Sequence, residues 1–153
     1  MSGSATPFHA PGRLRDGDLE LVLTATQPGD AKRGLVPQYE FEMRLVGSGT
    51  KVGHLHFRIG LTGELKRFGG NLGYDVEAAY RGHRYAARAC RLIFPLARQH
   101  GLRELWVTCA PENTPSRRTC EIIGAKHLDT VSAEASPGQP RPTCRYVIDL
   151  TTA

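Results

Sequence analysis

Residues 76–101, VEAAYRGHRYAARACRLIFPLARQHG, constrain the fold more than any other stretch, because the apolar period changes there from two to nearly four. Upstream, Leu72-Gly73-Tyr74-Asp75-Val76 reads as a strand. Downstream, Ala86, Ala89, Ile93 and Ala97 recur at helical spacing, with Arg84, Arg88, Arg91 and Arg98 on a second stripe that can meet negative charge. Between the two lies the short turn Arg81-Gly82-His83. A strand that turns at once into a fresh helix aims unpaired N–H groups and the positive end of a dipole at one place, an arrangement that cradles phosphate. Cations at a helix start oppose that dipole, so Arg81 and Arg84 make sense there if an anion sits between them. Gly101 stops the helix, which is expected over about 82–100, and Pro95 inside it predicts a kink and not an end.

The rest of the chain reads as strands with one further helix. Leu19, Leu21 and Leu23 repeat every second residue, as do Tyr39, Phe41, Met43 and Leu45, and Gly47-Ser48-Gly49 turns the chain into a strand over 51–59. Thr26 to Pro37 carries turn chemistry and holds at most a short helical turn. His54 and His56 share one strand face, which reads as a polar sheet face by its alternation and, as the alternative, as a pair beside an acceptor amine. Leu105, Trp106, Val107 and Cys109 form a nearly continuous apolar strand. Thr114 caps a second helix, with Pro115 at its first position and Gly124 beyond its end. A strand over 127–132, a Pro- and Gly-bearing loop over 133–142 and a closing strand over 144–150 complete an α+β chain. The run Gly69 to Gly73 leads into a strand rather than a helix and is not a second phosphate loop.

At 153 residues the chain suits one domain, taken as 17–153, preceded by a loose arm over 1–16 that is rich in Ser, Pro and Gly. A net charge of +5 favours an anionic partner without choosing among coenzyme phosphates, nucleic acid and acidic surfaces. No apolar run reaches the length of about 20 residues that a spanning helix needs, and the start lacks the apolar core of a signal peptide, so a cytoplasmic protein without a membrane partner is expected. Cys90, Cys109, Cys120 and Cys144 are scattered without a CxxC pair, which favours reduced, packed thiols over a disulfide framework or a metal site.

VEAAYRGHRYA resembles the acyl-CoA loop of the GNAT acetyltransferases, a Gln or Arg, two residues, Gly, one residue, then Gly or Ala. Arg81 fills the first place, Ala86 the last, and Arg84 stands where the middle Gly belongs. The resemblance continues through 104–109, Asn113-Thr114-Pro115-Ser116 and Ile123-Gly124, covering roughly residues 51–132. It implies a mixed, mostly antiparallel central sheet of about six to seven strands flanked by helices, with the helical region between strands 1 and 2 shortened. It also implies acetyl-CoA as cosubstrate, no metal, and acetyl transfer to a primary amine carried by a small molecule or protein. The backbone at Val76 would pair with the pantetheine arm. The N–H groups from Gly82 through His83, Arg84 and Tyr85 to Ala86 would hold the pyrophosphate, beside Arg81. Asn113 and Ser116 would contact the pantetheine or adenine side.

The chain departs from the family where chemistry is concerned. Cys120 occupies the position, four residues before the terminal Gly of the second helix, where many relatives carry a proton-donating Tyr. Gly70 and Thr108 occupy strand positions that can hold a carboxylate base. These departures motivate a second reading, a weakly active or inactive acyl-CoA-binding or regulatory module of the same fold. A nucleic-acid-binding domain fits less well, because the Arg stripe has no interleaved exposed aromatics and no helix-turn-helix spacing. A homodimer is compatible with the sequence.

Overall fold

The computed structural model describes residues 8–33, 35–60, 70–136 and 139–151. Period-two burial builds a first sheet from β1 (Leu14–Asp16), β2 (Leu19–Gln27), β3 (Gln38–Leu45), β4 (Lys51–Arg58) and β5 (Leu72–Val76), antiparallel and in chain order. In β3, Tyr39, Phe41 and Met43 point into the core while Glu40, Glu42 and Arg44 face the other side. The helix α1 (Tyr85–Gln99) lays Ala89, Cys90, Ile93, Leu96 and Ala97 into the same core. Each large apolar side chain buried there contributes about 1.5–3 kcal/mol. A second antiparallel sheet contains β6 (Glu104–Cys109), β7 (Lys126–Ser136) and β8 (Gln139–Asp149) in the order β6-β8-β7, with α2 (Thr114–Ile122) between β6 and β7 in the chain.

The two sheets meet at Asn71. Its N–H donates to the Trp106 carbonyl at 2.6 Å and its own carbonyl accepts from Arg58 N–H at 2.7 Å. Its side chain repeats the pattern, with Oδ1 accepting from Trp106 N–H at 2.8 Å and Nδ2 donating to the Arg58 carbonyl at 2.9 Å. Asn71 is 1% exposed, and all its polar groups are satisfied as burial requires. Gly70 makes this approach feasible, since at φ +71° a Cβ there would lie 2.7 Å from the Trp106 carbonyl oxygen. Among the described residues no ladder joins β5 to β6 beyond this point, so the strands part toward their C-terminal ends.

Among the described residues between β2 and β3 the chain makes a 3₁₀ turn, Ala31–Arg33, closed by an Asp30–Leu35 bridge, as the turn-rich sequence predicts. Four expectations need correction. Residues 8–16 are not a loose arm: Phe8 packs edge-on against Tyr39 at 5.0 Å and β1 pairs with β2, which adds one strand to the expected count. The loop expected over 133–142 is largely strand. Before Cys144, among the described residues, β8 pairs only with β7, and such an edge tolerates Pro140 and Pro142. The first helix starts at Tyr85 and not at 82, because Gly82 at φ +98° and Arg84 at φ +60° hold the turn open. It then runs unbroken through the exposed Pro95. In α2 the cap is Asn113, one residue before Thr114, with its side chain accepting from Ser116 N–H at 3.2 Å. Among the described residues no helix is long and apolar enough to cross a membrane.

Candidate functional site

A cavity of about 580 Å³, within the range of small-molecule sites, lies beside the C-terminal end of β5. The end of β5 forms one wall, α2 the other, and the turn into α1 its outer end. Eight of the nine residues expected to hold a coenzyme line it. Val76, Arg81, Gly82, Arg84, Tyr85 and Ala86 do so from one side, and Asn113 and Ser116 from the other. His83 does not. The turn at Gly82 carries it away from the cavity, and its ring stacks on Tyr85 at 5.2 Å.

Arg84 is the only non-glycine among the described residues with positive φ. A left-handed conformation costs an L-residue about 1–2 kcal/mol. The loop thus keeps a glycine-like backbone at the position where the expected glycine is missing. Arg84 makes no side-chain cap on α1, so the first N–H groups of the helix stay open to the cavity.

The Arg stripe of α1 is largely consumed inside the protein. Arg88 grips Asp18 at 2.7 Å and Asp16 at 3.0 Å, tying the β1–β2 turn to α1. Arg88 as the leading influence holds the Asp18 carboxyl below the usual carboxylate range. Arg91 donates to the Ile122 carbonyl and Arg98 to that of Leu150. Arg81 donates from Nε to the Val76 carbonyl at 3.0 Å. The cations left facing the cavity are Arg81, Arg84 and, from the opposite wall, Arg118. Arg118 was missed in the sequence because it follows Arg117 directly in an exposed helical run. The two differ only in the fold, where Arg117 turns inward to the Tyr146 hydroxyl at 3.1 Å.

The other end of the cavity is half-buried. Tyr74 and Ser116 line it, with Cys120 wholly buried behind them. Cys120 packs as expected, and its pKa is raised, first by donating a hydrogen bond to Cys109 and then by burial. Cys109 shifts the other way, down to about 7, with the hydrogen bond from Cys120 outweighing burial and Ser116 and Arg117 assisting. His54 and His56 lie outside this cavity on a half-buried polar face. His54 stands opposite Glu42 and Asp75, and His56 opposite Glu40 and Gly73. Burial lowers the pKa of His56 against the pull of Glu40. Among the described residues no cluster of three metal-binding side chains occurs.

The model of the acetyltransferase (GNAT) domain matches residues 11–126. The chain belongs to the GNAT acetyltransferase family. It is similar to the GNAT-family acetyltransferase of Bacillus anthracis, with 28% identity over 73% of this chain and 66% of that one and a TM-score of 0.58. A putative ribosomal-protein-serine acetyltransferase from Vibrio cholerae shares 16% identity over 92% of this chain and 99% of that one, at a TM-score of 0.66. The microcin C7 self-immunity acetyltransferase MccE, solved with acetyl-CoA and AMP, shares 18% over 73% of this chain and 61% of that one, at 0.58. The last two likenesses concern the fold alone. The chain spans just under two thirds of the Bacillus anthracis protein. No curated protein sequence matches it.

Proposed function

We propose that the protein is a cytoplasmic N-acetyltransferase that takes an acetyl group from acetyl-CoA and gives it to a primary amine. The observation that carries this is the cavity itself, with an open helix N-terminus at one end and Arg81, Arg84 and Arg118 around it. Phosphates suit such a place twice over, through the backbone donors and through the guanidinium groups. Acetyl-CoA supplies an activated thioester. The chain supplies an anion cradle at the exposed end and a half-buried end between β5 and α2. Asp75, Glu40 and Glu42 lie on or beside the polar face of the first sheet, a setting that suits a cationic amine as acceptor.

A ligand specific for the folded state stabilises it by mass action, so acetyl-CoA is expected to raise the melting temperature and to give a saturable binding isotherm. The deciding experiment adds release of free CoA thiol across a panel of amines that includes peptides with a free N-terminal serine. No binding and no thermal shift would sink the coenzyme reading. Binding without amine-dependent thiol release across the panel would favour the acyl-CoA-binding module, a reading supported by the thiol of Cys120 being buried away from the cavity.

A further inference from the structure

Three of the four cysteines gather where α2 packs on the end of β6. Cys109 and Cys144 are direct partners across the β6–β8 ladder, and Cys120 on α2 donates a hydrogen bond to Cys109. Residues directly opposite in such a ladder hold their Cβ atoms about 4.5–5.5 Å apart. The three thiols differ in access. Cys109 is half-buried, whereas Cys120 is 0% and Cys144 2% exposed, so a small solute reaches the group through Cys109. They differ in direction as well. Cys120 turns its thiol to Cys109, while Cys144 Sγ lies 3.6 Å from Thr130 Oγ1 on β7. The sulfurs therefore do not close on one point as metal ligands would.

We propose that Cys109 and Cys120 are a redox pair, oxidised by hydrogen peroxide to a disulfide that ties α2 to β6 behind the cavity wall. The Cys109 thiolate attacks one peroxide oxygen, an S–O bond forms, the O–O bond breaks, and the other oxygen leaves as hydroxide, which recovers the proton Cys109 had lost. Sulfur is oxidised by two electrons to the sulfenic acid, and the peroxide is reduced. The Cys120 sulfur then attacks that sulfur. An S–S bond forms, the S–O bond breaks, and the departing hydroxide carries off the Cys120 proton as water. Cys109 suits the first step because its thiolate forms near neutral pH, with the Cys120 hydrogen bond leading and Ser116 and Arg117 assisting. Cys120 suits the second because burial keeps its own thiol from the oxidant. A bond of about 2 Å replaces a hydrogen bond between the sulfurs and draws Cys120 from the Tyr74 hydroxyl, 3.8 Å away. The same helix carries Ser116 and Arg118 of the cavity wall, so the oxidation state is transmitted to that wall whatever the cavity holds.

The test maps disulfides in the whole chain after brief exposure to dilute hydrogen peroxide at neutral pH, with free thiols then blocked and the monomer isolated without reductant. Trypsin places the four cysteines in separate peptides, Cys109 in 104–117 and Cys120 in 119–126. The expected product has lost two thiols and joins these two peptides, with the Cys109 thiol consumed about tenfold faster than that of Cys90. Cys109→Ser should leave Cys120 reduced under the same exposure, and Cys144→Ala should still give the crosslink. Should either variant fold poorly, the crosslink in the unsubstituted chain decides. Four free thiols after exposure, a bond from Cys109 to Cys144, or Cys109 carried on to sulfinic acid beside a free Cys120 overturns the pair. Oxidation of Cys120 in Cys109→Ser at the unsubstituted rate overturns it too, since Cys109 would then not be the point of entry.

Discussion

Arg81 closes onto Val76, its Nε donating to the carbonyl oxygen at 3.0 Å, five residues back along the chain. That carbonyl is the backbone acceptor an extended ligand arm would use to extend β5. The same guanidinium, 4.0 Å from Asp75, lies at the mouth of the cavity where phosphate is proposed to bind. Nε alone holds the carbonyl, which leaves the terminal nitrogens for a phosphate, so one side chain can brace the turn and meet the ligand together. Arg81→Ala should weaken CoA about tenfold, the scale of a charge-assisted hydrogen bond, while leaving pantetheine unchanged or slightly tighter because the carbonyl is freed. Isothermal titration with both ligands checks this. Equal weakening of the two would mean that Arg81 only shapes the turn.

Arg84 carries backbone strain and a charge at the same position, and substitutions can separate them. Arg84→Gly removes the left-handed penalty but loosens the unfolded chain, leaving a net gain in stability below about 1 kcal/mol. Arg84→Ala keeps the penalty and should not gain. Both should lose CoA affinity by the same factor, of the order of tenfold, if the guanidinium meets phosphate. Urea unfolding and CoA titration on the two variants give the answer. Unchanged affinity in both would remove Arg84 from the binding site.

Cys109 should stand apart from the other thiols. A lowered pKa means that thiolate forms at lower pH, so its alkylation rate should climb through about pH 7 and then level off. An ordinary thiol would keep gaining up to about 8.5. Cys90, pushed up to about 12 by burial, should stay inert in the folded protein, as should the buried Cys120 and Cys144. Cys120→Ala deletes the donor that leads the shift and should move the Cys109 midpoint upward. Peptide mapping after timed iodoacetamide treatment across pH distinguishes the sites. A midpoint of about 8.5 both with and without Cys120 would show that the pair is not coupled through that hydrogen bond.

The strand-turn-helix loop was legible in the sequence because its determinants are local. A strand, a glycine turn and a helix start lie within about a dozen residues, and eight of the nine named positions come together around one cavity. Partners far along the chain were not legible. Nothing near Arg88 in sequence indicates that it binds Asp16 and Asp18, some seventy residues earlier, and not an external anion. Tyr74 read as one more strand residue, since the partner of its hydroxyl comes from α2, 42 residues later. The prolines of β8 read as loop because a sequence does not show which side of a strand will lack a neighbour.

Asn71 gives the molecule a mechanical character. Among the described residues a single backbone hydrogen bond crosses from one sheet to the other, and the amide side chain beside it supplies a second link at the same point. The helix α1 clasps the same two sheets a second way, through Arg88 to the β1–β2 turn and through Arg98 to Leu150. A ligand held between β5 and α2 bears on both sheets at once, so its occupancy should slow amide exchange even in strands it never touches.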